Sequence, residues 1–330
     1  MSETTTKPDF SIESRLVRYA DLKPCFDAFI DTRTPGSDQK ENFTIIGPGV
    51  SENPNQYVHI AEPHGFNIGG ARQPPGCTNS QHSHETVEVF YVHSGKWRFD
   101  LGEHADDAQI TLNAGDLISI PTSVFRGFTN IGDSVGYLWA VLGGDDPGRV
   151  LWAPKVFDMA SDYGLILLED GMLIDTAKGE TVPAGKTPMP VTSSAQVAAL
   201  DVYSDAQLVN CVIRAGHSRH PGAFNHLPGV DDTILIGEAP LSWPHGFTLN
   251  EVRLEPGTRI GAHVLNVPDV YFVQSGFLTV SIDGSEVTLG PGDTLTTPQG
   301  KQRSIKAASD SPVCFVAVRG GDAAPEIHWT

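Results

Sequence analysis

The sequence has few basic residues and no long apolar run. Lysine and arginine together number 22, against 40 aspartates and glutamates, and the formal net charge is −18. A chain with this charge is repelled by nucleic-acid phosphates and by anionic membranes, so we expect neither as a partner. A membrane-spanning helix needs about 20 predominantly apolar residues in a row, and the sequence contains no such run. A small anionic substrate is still compatible with this charge, because one local arginine overrides a distant field.

Cysteine is also scarce, with four residues in 330. Cys25, Cys77, Cys211 and Cys314 lie far apart and form no CxxC pair, which favours reduced, structural thiols over a disulfide framework. Residues 1–15 lack the basic start and apolar segment that are typical of a secretory signal. We therefore expect a cytoplasmic protein.

Glycine and proline are plentiful, with 34 and 24 residues, and they occur within a long internal repeat. The sequence PHGF at residues 63–66 returns at residues 244–247, an offset of 181. After a loss of four residues from a hairpin, the register resumes with an offset of 177. Further pairs in the same order are Pro75 with Pro256, His82 with His263, Glu88 with Asp269, Gly115 with Gly292, Pro121 with Pro298 and Arg126 with Arg303. An ordered series with a single gap indicates a duplicated domain.

Both copies of the repeat predict β structure. Residues 87–92 and 270–273 are rich in β-branched and aromatic side chains, and a Ser-Gly turn follows each run. Residues 278–282 alternate apolar and polar side chains and then meet Asp283-Gly284, a strong hairpin signal. Short strands separated by turn residues predict an all-β, closed or sandwiched architecture.

The repeat also predicts the domain organisation. We expect an N-terminal extension at 1–45, a first domain at 46–150, a connecting segment at 151–235 and a second domain at 236–330. Outside the repeated domains, residues 11–19, 156–168 and 193–202 have patterns that favour short helices.

Three side chains in the first copy have the chemistry of a metal site. His82 and His84 lie two residues apart on a predicted strand, so both side chains leave the same face. Glu88 follows at an even spacing, and a bend into the next strand brings its carboxylate to the same interior. Two imidazoles and one carboxylate suit Fe(II), Mn, Ni or Zn and leave coordination positions open.

These residues carry a family resemblance. The run from Gly76 to Gly95 matches the first cupin motif, G-x5-H-x-H-x3-E-x6-G, at every fixed position. Gly115-x5-Pro121 followed by Asn130 matches much of the second motif. The chain thus resembles a bicupin of the cupin superfamily, with two tandem RmlC-like jelly-roll barrels (double-stranded β-helices). The resemblance implies a metal inside the first barrel on His82, His84 and Glu88, and a homodimer.

Two departures from the family pattern modify this expectation. Where the family has a fourth ligand, a histidine, the first copy has Arg126, which has no free lone pair for a metal. The second copy has Leu265 in place of the second histidine, so we expect no metal there. Asp269 and Arg303 would face each other inside that barrel as an ion pair, and the second barrel would be scaffold.

Arg126 has two competing interpretations. Beside an open metal position, its guanidinium would bind a substrate carboxylate or enolate and stabilise negative charge during catalysis. Alternatively it forms a structural salt bridge with Glu88. The sequence leaves both open.

The leading functional hypothesis is a metal-dependent enzyme for a small organic substrate, resembling bicupin dioxygenases. We expect one divalent transition metal, Fe(II) first, and an enol, phenol or hydroxy acid as substrate, with Glu88 and Arg126 as the catalytic residues. Isomerase, decarboxylase or lyase chemistry stays open. The alternative from another class is a non-catalytic cupin that binds a small molecule.

Overall fold

A computed structural model of the chain describes residues 11–217, 220–238, 240–241, 243–308 and 310–330. Short β-strands dominate both halves. The strands up to the end of the connecting segment are β1 (Leu16–Val17), β2 (Glu41–Ile46), β3 (Val58–Ile60), β4 (Phe66–Gln73), β5 (Thr78–His84), β6 (Glu88–Ser94), β7 (Lys96–Leu101), β8 (Ala108–Asn113), β9 (Leu117–Ile120), β10 (Arg126–Asn130), β11 (Gly136–Gly143), β12 (Val150–Trp152), β13 (Leu165–Leu167), β14 (Leu173–Asp175) and β15 (Val212–Ile213).

The second half repeats this arrangement. Its strands are β16 (Val230–Ile236), β17 (Phe247–Leu254), β18 (Arg259–Leu265), β19 (Asp269–Ser275), β20 (Leu278–Ile282), β21 (Ser285–Leu289), β22 (Thr294–Thr297), β23 (Arg303–Ala307), β24 (Val313–Gly320) and β25 (Ile327–Trp329).

Each half is a jelly-roll barrel made of a large and a small antiparallel-dominated sheet. The first barrel joins the sheet β15-β9-β6-β11-β4-β2-β3 to the sheet β12-β5-β10-β7-β8. The second joins β1-β22-β19-β24-β17-β16 to β21-β20-β23-β18-β25. The predicted fold class, two tandem all-β barrels, is confirmed. The domain bounds inferred from the repeat stay predictions.

The large sheets are apolar on both faces, and this explains the nearly continuous apolar character of β6 and β11. One face of each sheet lines its own barrel, and the other packs against the large sheet of the other barrel. In the interface Trp139 stacks on Phe272 with ring centroids 4.7 Å apart, and Phe66 meets Phe247 at 6.0 Å. Strands buried on both faces lose the polar alternation that marks a half-exposed strand.

Hydrogen bonds across this interface follow the repeat. His64 Nε2 of the first barrel lies 2.6 Å from Thr296 Oγ1 of the second, and His245 Nε2 of the second lies 2.7 Å from Ser119 Oγ of the first. The two repeated histidines thus have the same structural role, a hydrogen bond to the other barrel.

Two short strands are exchanged between the barrels. β1, which precedes the first barrel, pairs with β22 of the second barrel. β15, which precedes the second barrel, pairs with β9 of the first. An arginine after each strand forms an ion pair with an aspartate of the other half, Arg18 with Asp293 at 2.7 Å and Arg214 with Asp116 at 2.8 Å. The duplication thus extends to the segments that precede the barrels.

A glycine of the first cupin motif has a clear physical reason. Gly95 joins β6 to β7 with φ +88°. A Cβ at this position would stand 2.7 Å from the Cα of Gly136 and 3.1 Å from the indole nitrogen of Trp97. Only glycine combines this backbone conformation with such a close approach.

The helices are short and lie in the connecting segment: α1 (Pro154–Asp162), α2 (Ser194–Val197) and α3 (Asp205–Val209). In the described part of the chain no helix has the length and apolar character to cross a membrane. The helix predicted at 156–168 is correct for α1 but wrong at its end, where β13 pairs with β14. The helix predicted at 11–19 is wrong beyond the 3-10 turn Glu13–Arg15, because the next residues extend to pair with β22.

Candidate metal centre

Two neighbouring strands place the three predicted ligands in the first barrel. His82 and His84 lie at the end of β5, between β10 and β12. Glu88 is the first residue of β6, and its side chain shares the barrel interior with Phe90. The residues between β5 and β6 turn the chain from the small sheet to the large one. Because side chains alternate along each strand, the two imidazoles and the carboxylate all point into the barrel interior.

The three side chains meet as the sequence predicts. The imidazole centroids of His82 and His84 are 5.0 Å apart, and the Nε2 atom of His84 lies 3.6 Å from Oε2 of Glu88. One potential ligand atom from each residue lies within 4.8 Å of the others. This is the one such cluster found among the described residues. All three residues are buried, at 3 to 5% exposure.

The protonation state of the histidines suits a metal ligand. Burial, assisted by the nearby charge of Arg126, lowers the pKa of His82 to about 3 and that of His84 well below its ordinary value. Both imidazoles are therefore neutral at pH 7. The Nδ1 atom of His82 lies 2.7 Å from the carbonyl oxygen of Ser80. That carbonyl accepts a hydrogen bond from the Nδ1–H group, so Nε2 carries the free lone pair.

Arg126 is a direct neighbour of the cluster. Its Nη2 group donates a hydrogen bond to Oε2 of Glu88 at 2.9 Å, and its Nε group approaches the same oxygen at 3.3 Å. Arg126 is 0% exposed. Burial raises the pKa of Glu88, while the guanidinium acts in the opposite direction. The structural salt bridge, one of the two interpretations of Arg126, is therefore present.

The residues fit a divalent ion in spite of this ion pair. Among the described residues no hydrogen bond engages Nε2 of His82 or Nε2 of His84, so both nitrogens are available to an ion. Glu88 gives one carboxylate oxygen to Arg126, and a carboxylate has a second oxygen with lone pairs of its own. Two imidazoles and a carboxylate are the donor set of many divalent transition-metal sites.

A small cavity opens on the cluster. Its volume is about 70 Å³, and its walls include the three candidate ligands. Apolar side chains form much of the rest, among them Phe90, Phe128, Leu142 and Trp152. Pockets for drug-sized ligands begin at about 300 Å³, so this cavity suits a molecule of a few non-hydrogen atoms.

The second barrel has no comparable cluster among its described residues. Asp269, at the position of Glu88, accepts a hydrogen bond from Nε of Arg319 at 3.0 Å. Arg303 lies 3.8 Å from the same carboxylate and donates to the carbonyl oxygens of Pro298 and Lys301. The expected pair of Asp269 with Arg303 is thus present, but the closer partner is Arg319, which sequence reasoning missed.

A comparison with known protein families agrees with this geometry. The profile of the Cupin domain matches residues 71–141 and, a second time, residues 250–319. The two matches fall on the two barrels, and the first contains all three candidate ligands. The chain belongs to the cupin superfamily.

Solved structures support the same bicupin fold. Lactobacillus farciminis oxalate decarboxylase in a formate complex aligns with a TM-score of 0.58 at 12% identity, over 94% of this chain and 87% of that one. Vicilin from Capsicum annuum aligns with a TM-score of 0.60 at 12% identity, over 96% and 88%. Procruciferin, an 11S globulin from Brassica napus, gives 0.59 at 12%, over 96% and 87%. At these identities the likeness establishes the fold alone. No curated protein matches the sequence.

In this bicupin, two buried residues that sequence reasoning missed, Trp152 and Glu52, hold the position of the His82 ring. The ring of Trp152 packs beside His82 with centroids 5.3 Å apart, and its indole N–H donates to Oε1 of Glu52 at 2.6 Å. The backbone N–H of Ile30 donates to the other oxygen of Glu52 at 2.7 Å. Burial raises the pKa of Glu52 to about 8. Glu52 stands in a loop without a recognisable motif, so no sequence signal identifies it.

Proposed function

We propose that the first barrel is the active site of a metal-dependent enzyme that acts on a small organic molecule. The observation that carries this proposal is the cluster of His82, His84 and Glu88 on the wall of a closed-in cavity. An ion bound there supplies Lewis-acid chemistry or, as Fe(II), redox chemistry at its open positions. Our first choice of reaction is a dioxygenase that acts on an enol, phenol or hydroxy acid, and the small cavity favours an enol or a hydroxy acid over a phenol.

The side chains around the cluster have separate tasks in this proposal. His82 and His84 stay neutral and hold the ion, because burial prevents their protonation. Glu88 holds the ion and is the candidate base. Phe90, Phe128 and the other apolar walls exclude water and restrict the substrate to a few atoms.

Arg126 acts through Glu88 in this arrangement. It does not lie among the residues that line the cavity, and its hydrogen bonds orient the carboxylate from behind. Its charge also opposes the rise in the pKa of Glu88 that burial causes. Direct contact between Arg126 and a substrate carboxylate, the other role expected for it, stays a prediction and requires the pair with Glu88 to open.

The structures that share this fold are compatible with two other functions, one catalytic and one not. An oxalate decarboxylase shares the architecture, so decarboxylation of a small carboxylic acid is the second candidate for the same cluster. Vicilin and procruciferin share it as well, which is compatible with a non-catalytic cupin that binds a small molecule.

Metal analysis of protein purified without oxygen tests the proposal. We expect about one transition-metal ion per chain, lost in His82→Ala. His263→Ala is the matched control, because His263 has the same place in the second barrel, and it should keep the ion. Oxygen uptake with a panel of small enolic and hydroxy acids, and with phenolic acids as larger members, then tests the dioxygenase. Carbon dioxide release without oxygen uptake would favour the decarboxylase, and a metal-free wild type would remove both.

A homodimer and a cytoplasmic location, expected from the sequence and the resemblance, stay predictions. Light scattering of the full chain measures the first directly: a mass of one chain, 35.4 kDa, would contradict the dimer.

A further inference from the structure

The second barrel has a cavity that overlaps in position with the cavity beside the candidate metal ligands of the first. In the first barrel Leu142 pairs with Glu88 across the large sheet, and in the second Arg319 pairs with Asp269 in the same register. Leu142 lines one cavity and Arg319 lines the other. The duplicated barrels therefore have different chemistry at one position. The first has the apolar side chain of Leu142 beside its three candidate metal ligands, and the second has the guanidinium of Arg319, with no such ligand group among its described residues.

Arg319 is well placed to bind a ligand. It is 5% exposed, and the hydrogen bond from its Nε to Asp269 is the one it makes within the described ranges. A guanidinium has five N–H donors, so both Nη groups are left for a molecule in the cavity. Its position is fixed by the ring of Phe224, which lies 5.8 Å from its central carbon.

The charges around Arg319 leave it attractive to an anion. Asp269 is shared between two guanidinium groups, since Arg303 lies 3.8 Å away on its other side. Asp232, the next carboxylate, accepts hydrogen bonds from the backbone N–H of Phe224 and from the side chain of Asn250. Both carboxylates thus have their own donors. Glu238 also lines the cavity, but it is exposed to solvent, which screens its charge.

A second polar residue lines the same cavity. Thr248 is 5% exposed, and its hydroxyl is buried without a hydrogen-bond partner among the described residues. Buried polar groups in folded proteins are nearly always hydrogen-bonded, so a turn of this side chain toward the cavity would let the hydroxyl donate to a carboxylate beside Arg319.

The shape of the cavity limits the rest of the ligand. The volume is about 270 Å³, just under the roughly 300 Å³ at which pockets for drug-sized ligands begin. The remaining walls are largely apolar and include Ile234, Ile236, Pro325 and Ile327. These walls suit a short apolar body attached to one charged end.

We propose that the second barrel binds a small monocarboxylate with an apolar body. Its carboxylate takes a bidentate hydrogen bond from Arg319, and a further one from Thr248 once that side chain turns its hydroxyl toward the cavity. The site needs no metal, so it is independent of the function proposed for the first barrel. It replaces the expectation that the second barrel is scaffold alone.

Calorimetry on the full chain tests this site with benzoate as the probe and benzamide as its neutral isostere. The protein is first treated with a chelator, so that a metal in the first barrel cannot bind the carboxylate. We expect benzoate to bind with one site per chain and at least tenfold more tightly than benzamide. Equal affinity for the two, or no heat with benzoate at tens of millimolar, overturns the proposal.

Three variants locate the binding. Arg319→Leu introduces the residue of the first barrel and should weaken benzoate at least tenfold. Ala324→Trp fills the exposed rim of the cavity without touching the buried ion pairs, and it should do the same if Arg319→Leu fails to fold. His84→Ala, which alters only the metal cluster, should leave benzoate binding unchanged. Binding that survives Ala324→Trp, or that is lost in His84→Ala, refutes the assignment to the second barrel.

Discussion

Replacement of Arg126 by methionine should convert the first barrel from an ion-paired site into one that depends on a metal for stability. The guanidinium is 0% exposed and donates to a buried carboxylate at 2.9 Å. Removal of one partner of such a pair leaves an uncompensated buried charge and costs about 3–5 kcal/mol. We therefore expect Arg126→Met to lose about that much unfolding free energy in the presence of a chelator.

A divalent ion should restore much of the loss. With the guanidinium gone, Glu88 has a cation to pair with only when the cluster is filled. An ion at a hundred times its dissociation constant stabilises the folded state by about 2.7 kcal/mol. The affinity for Mn(II) should also rise at least tenfold over the wild type, because a neighbouring positive charge has been removed.

The assay is urea unfolding of wild type and variant, with chelator and with Mn(II). Arg303→Met is the matched control, since Arg303 has the same place in the second barrel but no metal cluster beside it; it should be destabilised without recovery by Mn(II). The double variant Arg126→Met with Glu88→Leu should recover stability without metal, because a well-packed apolar pair replaces an ion pair at little cost. If Arg126→Met is as stable as the wild type in chelator, or gains nothing extra from Mn(II), the reasoning is refuted.

Three further predictions concern stability. Ser119→Ala and Thr296→Ala each remove the partner of a buried interface histidine and should each cost about 1–3 kcal/mol; urea unfolding showing a loss in one but none in the other would contradict the equivalence of the two contacts. Burial lowers the pKa of His82 to about 3 and that of His245 to about 4. The stability that each neutral imidazole contributes is therefore complete above the pKa of an unfolded histidine, about 6.5, and falls by about 2 kcal/mol each by pH 5. An unchanged urea midpoint between pH 7 and pH 5 argues against this. Phe224→Ala leaves a cavity in the core of the second barrel and should lower the unfolding free energy by about 3–5 kcal/mol. The metal content should stay that of the wild type, and loss of the metal would show that the barrels are not independent.

The meeting of His82, His84 and Glu88 could be predicted because it depends on local rules. The side chains of a strand alternate, so the spacing of His82 and His84 places both on one face of β5, and the motif predicted the bend that brings Glu88 to the same interior. The pairing of Arg126 with Glu88 needed the structure, since both interpretations are compatible with the same neighbours in sequence.

Arg319 illustrates what local rules cannot provide. It lies 50 residues after Asp269, and the contact exists because β19 and β24 are neighbours in the large sheet. Strand order is a property of the whole barrel, and no local sequence pattern predicts which residue a single arginine in an apolar strand will contact. The extended conformation of Leu16 and Val17 was missed for the same reason, since tertiary pairing with β22 decides it.

The exchange of β1 and β15 has a consequence for how the chain matures during synthesis. β1 is made before either barrel, yet the strand it pairs with, β22, is made almost 280 residues later. The first barrel likewise waits for β15, which follows it at a distance of about 60 residues beyond β12. Each large sheet is therefore completed by an edge strand from the other half, and a chain severed between β12 and β15 would leave both halves with an unpaired sheet edge open to the wrong partner.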